Sequence, residues 1–308
     1  MCGIAGYVST NNFFSKEQLK EAVSCIKYRG PDAEGFYFSP NGKVGLGHRR
    51  LSILDVSSGA NQPMFSGNGR YCIVFNGEVY NFIELKEQLL DKGASLKTTS
   101  DTEVILQLFV EKGPACFAGM NGMFAFAIFD TQEKVLTICR DHIGIKPLFL
   151  YQDDGVLIFA SELKVIKSLI GKELSINKKA IPYFLHLGFI PQPLTIYNKT
   201  TKFPSAHYTQ ILVNKTFSNE GNIEFIPFWK LENIFEKEKI RDVSAAKIQL
   251  EKLLIDTVQK QLISDVPIGT FLSGGVDSSL VTALAAKILG TQKIKTFTIA
   301  IDEGKFNE

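Results

Sequence analysis

Apolar and polar positions alternate in short runs over residues 2–169, in the rhythm of half-buried strands. Runs rich in branched and aromatic residues, parted by Gly, Asn and Asp, predict strands at 4–8, 44–46, 71–75, 123–129, 135–139 and 157–160. Two segments change to helical spacing. Phe82, Leu85, Leu89 and Leu90 predict a helix over 81–92, and Val104, Ile105, Leu108 and Phe109 another over 102–112. Ser100 and Asp101 precede the second helix, with Glu103 in its first turn, the arrangement of an N-cap cluster.

Between 171 and 243 the periodicity fades and prolines gather at Pro182, Pro191, Pro193, Pro204 and Pro227, so this stretch is expected to connect or pack. Order returns over 244–263, an amphipathic helix with Ile248, Leu250, Leu253, Leu254, Val258 and Leu262. A strand at 268–272, a tight Ser-Gly-Gly-Val-Asp-Ser-Ser turn, a helix at 280–289 and a strand at 296–301 follow. Strand, helix and strand of this length make a βαβ unit and imply a parallel sheet. Such a sheet is normally covered on both faces, so a single unit reads as the opening of a larger α/β domain.

Composition fits this picture of about two domains: 308 residues, 45% hydrophobic and 21% charged. A net charge of +2 supplies no field for nucleic acid or an anionic membrane. The longest apolar stretch, 123–129, is far short of the roughly 20 residues that span a bilayer, so no membrane span is expected. The opening MCGIAGYVST has neither a basic leader nor a cleavage site, which predicts a cytoplasmic protein. Five cysteines and four histidines, widely spaced, suggest neither a disulfide framework nor a zinc site; most thiols read as small core residues.

Cys2 has an unusual address. Removal of Met1 would leave a thiol and a free α-amine on one residue. Reference pKa values are about 7.7–8.0 for the amine and about 8.5 for the thiol, so the neutral amine can take the thiol proton near pH 7, directly or through one water. Nucleophile and base would then share a residue. Position alone would make Cys2 merely the first residue of an edge strand, but the segments that follow change the weighing.

Those segments are Arg29-Gly30-Pro31-Asp32, the run from His48 through Arg50, Leu51, Ser52, Ile53 and Leu54 to Asp55, the run from Phe75 through Asn76, Gly77 and Glu78 to Asn81, Ser100-Asp101-Thr102-Glu103, and the run from Arg140 to Leu148 that contains Lys146. In this order and spacing they resemble the glutaminase domain of class II glutamine amidotransferases, the asparagine synthetases most closely. The resemblance implies an α+β N-terminal nucleophile hydrolase fold, an αββα sandwich, over 2–214. It implies that Cys2 attacks the side-chain amide of glutamine, while Asn76 and Gly77 form an oxyanion hole. Arg50, in preference to Arg49, would clamp the α-carboxylate, Asp101 with Glu78 would hold the α-ammonium, and the backbone of Leu51, Ser52, Ile53 and Leu54 would line the pocket.

The turn at 273–279 lies between a strand and a helix, where backbone N–H groups and the helix dipole attract phosphate. Its sequence resembles the PP-loop of ATP pyrophosphatases, implying an incomplete α/β PP-loop domain over 240–308. ATP would bind at Leu272, Ser273, Gly274, Gly275, Asp277, Ser278, Ser279 and Ile299, accompanied by Mg²⁺, with no prosthetic group and no protein-held metal. The implied reaction passes ammonia from glutamine to an ATP-activated aspartate, giving asparagine, glutamate, AMP and pyrophosphate. For these residues alone, glutamine hydrolysis without asparagine synthesis is expected. The family resemblance is compatible with a homodimer. Two alternatives stand beside this reading: transfer to another carboxylate acceptor, and a truncated, non-catalytic remnant that retains Met1.

Overall fold

The computed structural model describes residues 1–10, 14–153, 155–213, 223–235, 239–290 and 293–299, and the chain divides into two units, Met1–Lys230 and Leu231–Glu308. In chain order the first carries β1 (Gly3–Ser9), α1 (Lys16–Ser24), β2 (Ala33–Phe38), β3 (Val44–Arg50), β4 (Met64–Phe65), β5 (Tyr71–Val79), α2 (Phe82–Asp91), α3 (Asp101–Lys112), β6 (Gly122–Asp130), β7 (Val135–Arg140), β8 (Phe149–Asp153), β9 (Val156–Ala160), α4 (Leu163–Ile170), α5 (Ala180–Leu187), β10 (Thr200–Lys202), β11 (His207–Leu212) and β12 (Ile226–Pro227). These strands form two six-stranded sheets, ordered β10-β8-β9-β1-β3-β2 and β12-β11-β7-β6-β5-β4, with antiparallel pairings.

Side-chain alternation builds the layers. Along β1, Ile4 and Val8 enter the core between the sheets, where they join Leu157 and Phe159 and, from the facing sheet, Val74, Ala127, Phe129 and Ile138. Ala5 and Tyr7 point the other way, onto Leu19 and Val23 of α1 and Val165, Ile166 and Leu169 of α4. Each buried aliphatic side chain contributes about 1.5–3 kcal/mol, which fixes the register, because a one-residue slip would exchange the two faces. On the outside of the second sheet Phe117, between α3 and β6, packs edge-on against Phe126 at 5.3 Å. The expected αββα sandwich is the observed one. Cys2 leads into a central strand, paired on both sides, not an edge strand.

Several elements depart from the sequence reading. α1 begins on a capping box the periodicity did not single out: Gln18 N donates to Ser15 Oγ (3.1 Å) and Ser15 N to Gln18 Oε1 (2.8 Å). β3 runs on through His48, Arg49 and Arg50, all buried although polar. The 171–243 stretch is more than a connection. β10 pairs with β8 and β11 with β7, since Phe203, Ile211 and Val213 complete the inter-sheet core.

The second unit holds α6 (Glu232–Phe235), α7 (Val243–Gln261), β13 (Gly269–Phe271), α8 (Val276–Leu289) and β14 (Lys295–Phe297). β13 and β14 pair in parallel, Thr270 opposite Thr296, as a βαβ unit requires. Asp242 caps α7, accepting from Ala245 N at 2.6 Å. Only half of the expected apolar set of α7 is covered. Leu254, Val258 and Leu262 pack with Leu284, Ala285 and Ile288, whereas Ile248, Leu250 and Leu253 are exposed. α8 starts at Val276, four residues earlier than its apolar spacing suggests, because Gly275 takes the N-cap position and Asp277 favours the first turn. Of the strand expected at 296–301, residues 300 and 301 lie outside the described residues.

Candidate active site

The start of β1, the ends of β3 and β5, the first turn of α3 and the loop after β7 converge on a cleft of about 200 Å³. Cys2 lies in it. Its thiol accepts a hydrogen bond from Leu51 N (3.4 Å) and donates to Leu51 O (3.6 Å). Burial pushes the thiol up, while the Leu51 hydrogen bond and the nearby α-amine pull it back. Met1 lines the same cleft, and burial holds its α-amine below the usual value, with Cys2 opposing and Arg29 and Lys146 adding to the effect.

Asn76 and Gly77 face this thiol's cleft from β5. Asn76 is fully buried, yet neither Oδ1 nor Nδ2 has a hydrogen-bond partner among the described residues. An unmet buried amide costs about 1–3 kcal/mol, so it marks a group kept for a ligand or a reaction. Gly77 pairs with Phe124, and a Cβ there would stand 2.3 Å from Met123 O and 2.7 Å from Phe124 Cα. Only glycine fits. His48 ties the two sheets together next to Asn76: Nε2 donates to Phe75 O at 3.0 Å, and burial pulls its pKa down to about 3, so the ring is neutral.

The opposite wall carries charge. Arg50 lines the cleft and braces the loop that follows it, donating from Nη1 to Ser57 O (2.7 Å) and Asn61 Oδ1 (2.8 Å) and from Nη2 to Leu54 O (3.3 Å) and Asp55 O. Arg49 takes the other face of β3 and pairs with Glu34 at 2.6 Å. Asp101 belongs to the cleft, not to the helix cap. Ser100 alone caps α3, accepting from Thr102 N (3.1 Å), while Asp101 Oδ2 accepts from Val79 N (3.1 Å). Burial lifts the Asp101 carboxyl to about 7 against the pull of that hydrogen bond, and Glu78 beside it is also raised by burial.

Leu51, Ile53 and Leu54 line the cleft as expected, but Ser52 does not. Its N–H is turned away and donates to Asp32 Oδ2 at 2.8 Å. Two further polar residues line the cleft: Gln62, which was not singled out from the sequence, and Lys146, which was named within a motif but given no role. Gln62 accepts from Phe75 N (2.6 Å) and donates to Thr102 Oγ1 (3.1 Å), and nothing in its local sequence signals this. Lys146 is only 3% exposed, in a loop fixed by Asp141, whose carboxylate accepts from Phe124 N, Ile145 N and Lys146 N. Its position within an otherwise apolar Ile-Lys-Pro-Leu run was the available signal. Burial lowers its pKa, partly offset by Glu78 and Cys2.

In the second unit, Gly274 (φ +95°) and Gly275 turn the chain from β13 into α8. Ser278 Oγ donates to Gly275 O (3.1 Å) and accepts from Ser273 N (3.3 Å). Leu272 N donates to Phe297 O (2.9 Å), and Ser279, Asp277 and Ile299 are exposed. Among the described residues no group of three or more His, Cys, Asp or Glu side chains is placed to hold a metal ion.

Comparison with known proteins agrees with this division. Residues 1–221 match the family model of the glutamine amidotransferase domain, and residues 249–308 that of asparagine synthase. A Methanocaldococcus jannaschii protein named asparagine synthetase (glutamine-hydrolyzing) 2 is 38% identical over all of this chain and 61% of its own length. Asparagine synthetase (glutamine-hydrolyzing) 1 of Bacillus subtilis is 33% identical over all of this chain and 47% of its own length. Asparagine synthetase B of Escherichia coli is 34% identical over 93% of this chain and 45% of its own length. The chain thus spans about half the length of these curated relatives, from 45% to 61%. Among solved structures, the glutamine phosphoribosylpyrophosphate amidotransferase of B. subtilis shares the fold, with a TM-score of 0.54 at 17% identity, over 96% of this chain and 65% of that one. A sandwich led by Cys2, an unpartnered buried Asn76 and a sequence match over residues 1–221 coincide, and the chain belongs to the glutamine amidotransferase family.

Proposed function

We propose that the chain hydrolyses glutamine through Cys2. The observation that carries this is the meeting, in one cleft, of the Cys2 thiol, the unpartnered Asn76 amide and the buried Asp101 carboxyl. With Met1 removed, the α-amine of Cys2 takes the thiol proton and the sulfur attacks the side-chain carbonyl carbon of glutamine. Asn76 Nδ2 and Gly77 N–H stabilise the oxyanion, and the protonated amine passes its proton to the departing ammonia. A γ-glutamyl thioester remains. Water, activated by the same amine, releases glutamate and restores the thiol. Asp101 and Glu78 hold the α-ammonium at the cleft wall, and Arg50, relinquishing carbonyl oxygens for a carboxylate, holds the other end of the substrate.

The asparagine synthase match at 249–308 and the names of the relatives support a use for the ammonia: transfer to an aspartate activated by ATP in the whole protein. The N–H groups of Gly274, Gly275 and the first turn of α8 would take the phosphates. The described residues offer no protein cage for Mg²⁺, so no step is assigned to it. No helix among the described residues is long and apolar enough to cross a membrane. The reading is tested by glutamate release from glutamine: Cys2→Ser is expected to lower it by roughly 10³-fold or more. Undiminished release in that variant contradicts the proposal.

A further inference from the structure

Glu162 stands behind the cleft, at the junction of β9 and α4, and has no part in the chemistry above. It occupies the N-cap position of α4, where its carbonyl oxygen accepts from Val165 N (3.2 Å) but its side chain makes no cap hydrogen bond. Its carboxylate is turned instead toward the residues before β2. Oε1 accepts from Arg29 Nη1 at 3.1 Å and from the Tyr28 hydroxyl, and Oε2 faces Lys164 Nζ at 3.4 Å. The Lys164 ammonium also lies 4.0 Å over the Tyr28 ring, closing the outer side of the cluster. Arg29 leads back to the nucleophile: its Nε donates to the carbonyl oxygen of Cys2 at 2.9 Å. The Arg29 side chain is 9% exposed, and its Nη2 is buried without a hydrogen-bond partner among the described residues.

The physical need for such a tie follows from where Cys2 sits. The pairing of β1 with β3 begins at Gly3, opposite Arg49, so Cys2 lies beyond the ladder. Once Met1 is removed it is a chain end, and chain ends fray unless they are tied down. Ser161, next to Glu162, already grips the following turn of backbone, since Ile4 N donates to Ser161 Oγ (3.0 Å) and Ser161 N to Ile4 O (2.9 Å). Ser161 and Glu162 therefore reach β1 at two successive points, Ile4 directly and Cys2 through Arg29.

We propose that Glu162, acting through Arg29, is a positioning residue that holds the terminal Cys2 in its attacking orientation. The inference rests on the glutaminase reading. Burial works against the Glu162 carboxylate, but the hydrogen bonds from Tyr28 and Arg29 outweigh it and hold its pKa below the usual range, so the ion pair persists through neutral pH. A planar guanidinium can meet the Cys2 carbonyl and the Glu162 carboxylate at once; a lysine at 29 would keep the charge and lose the bridge.

The test is steady-state glutamate release by the full chain with Met1 removed, for wild type, Glu162→Gln and Arg29→Lys. Misplacing a reacting atom by about 1 Å costs about 10²-fold, so both variants are expected to lose about 10- to 100-fold in kcat. The KM for glutamine stays within about twofold, because Arg50, Asp101 and Glu78 are untouched. Iodoacetamide labelling of Cys2 proceeds at least as fast as in wild type, since the thiol is freed and not buried. A kcat within about twofold of wild type, or a loss expressed as a rise in KM, overturns the proposal. Should Glu162→Gln fail to fold, Tyr28→Phe replaces it, with about a threefold fall in kcat expected at constant KM and an unchanged kcat overturning the idea. A wild-type chain that releases no glutamate defeats the glutaminase reading itself; an active wild type with equally active variants defeats only the role of Glu162.

Discussion

The cleft around Cys2 and the glycine loop of the second unit both place polar groups at strand ends, yet they differ in how much of their geometry is fixed. Around Cys2 the residues His48, Arg50, Asn76 and Asp101 are no more than 5% exposed; hydrogen bonds to Phe75 O and Ser57 O and from Val79 N hold His48, Arg50 and Asp101, and the pairing of β5 with β6 holds Asn76. In the loop Ser273, Gly274, Asp277 and Ser279 are exposed, and the hydrogen bonds run within the turn, as between Ser273 Oγ and Ser278 Oγ at 3.1 Å. The cause is the number of layers. Strands β1, β3 and β5 lie in a four-layer sandwich, whereas β13 and β14 have each other and α8. Oriented dipoles act on a reaction without reorganisation only where burial keeps them in place. The comparison therefore assigns preorganised chemistry to the cleft.

The strongest way to break this contrast is Asn76→Ala. It removes one oxyanion donor, and kcat for glutamine hydrolysis should fall by about 10²–10³-fold with KM little changed. A KM effect alone would place Asn76 in ground-state binding. Next comes Asp101→Asn, which should lower kcat/KM by roughly 10²-fold by leaving the ammonium without its counter-charge. In the wild type kcat/KM should climb with pH as Asp101, lifted to about 7, ionises. The stability sign is opposite. The folded state keeps the Asp101 proton where the unfolded state, near the ordinary value of 3.8, has lost it, so stability falls as pH rises from about 4 to about 7. Denaturant titrations across that window should show the slope flattened in Asp101→Asn.

Gly77→Ala should cost about 1–3 kcal/mol of stability, read as a lower melting temperature, because its Cβ would lie 2.3 Å from Met123 O. The smallest effect belongs to the second unit. Lys287→Ala removes a 3.6 Å ion pair with Glu251 between exposed side chains and should change stability by less than about 0.5 kcal/mol. A large loss there would mean that the second unit is more rigidly built than its exposed contacts indicate.

Much of this was legible in the sequence where local pattern and burial agree. Met123 to Phe129 reads as a strand because its residues are apolar on both faces, and it is the centre of the second sheet. His48, Arg49 and Arg50 do not read as strand, since polar residues at consecutive positions give no alternation; each nonetheless finds a partner outside β3, in Phe75 O, Glu34 and Ser57 O respectively. The motif around Asp101 pointed to the cleft, but its capping look concealed that Ser100 does the capping. Ser52 lies in the same kind of motif and turns away, which only the Asp32 contact reveals. Gln62 and Glu162 act through residues distant in the chain, and no spacing rule reaches them.

The central claim is that the thiol and the base reside on one residue. Glutamate release can be compared for chain whose intact mass shows Met1 removed and for chain prepared with methionine aminopeptidase inhibited, so that Met1 is retained. The account predicts that the retained form is slower by about 10²-fold or more, the usual contribution of a positioned general base. Equal turnover by the two forms would contradict it.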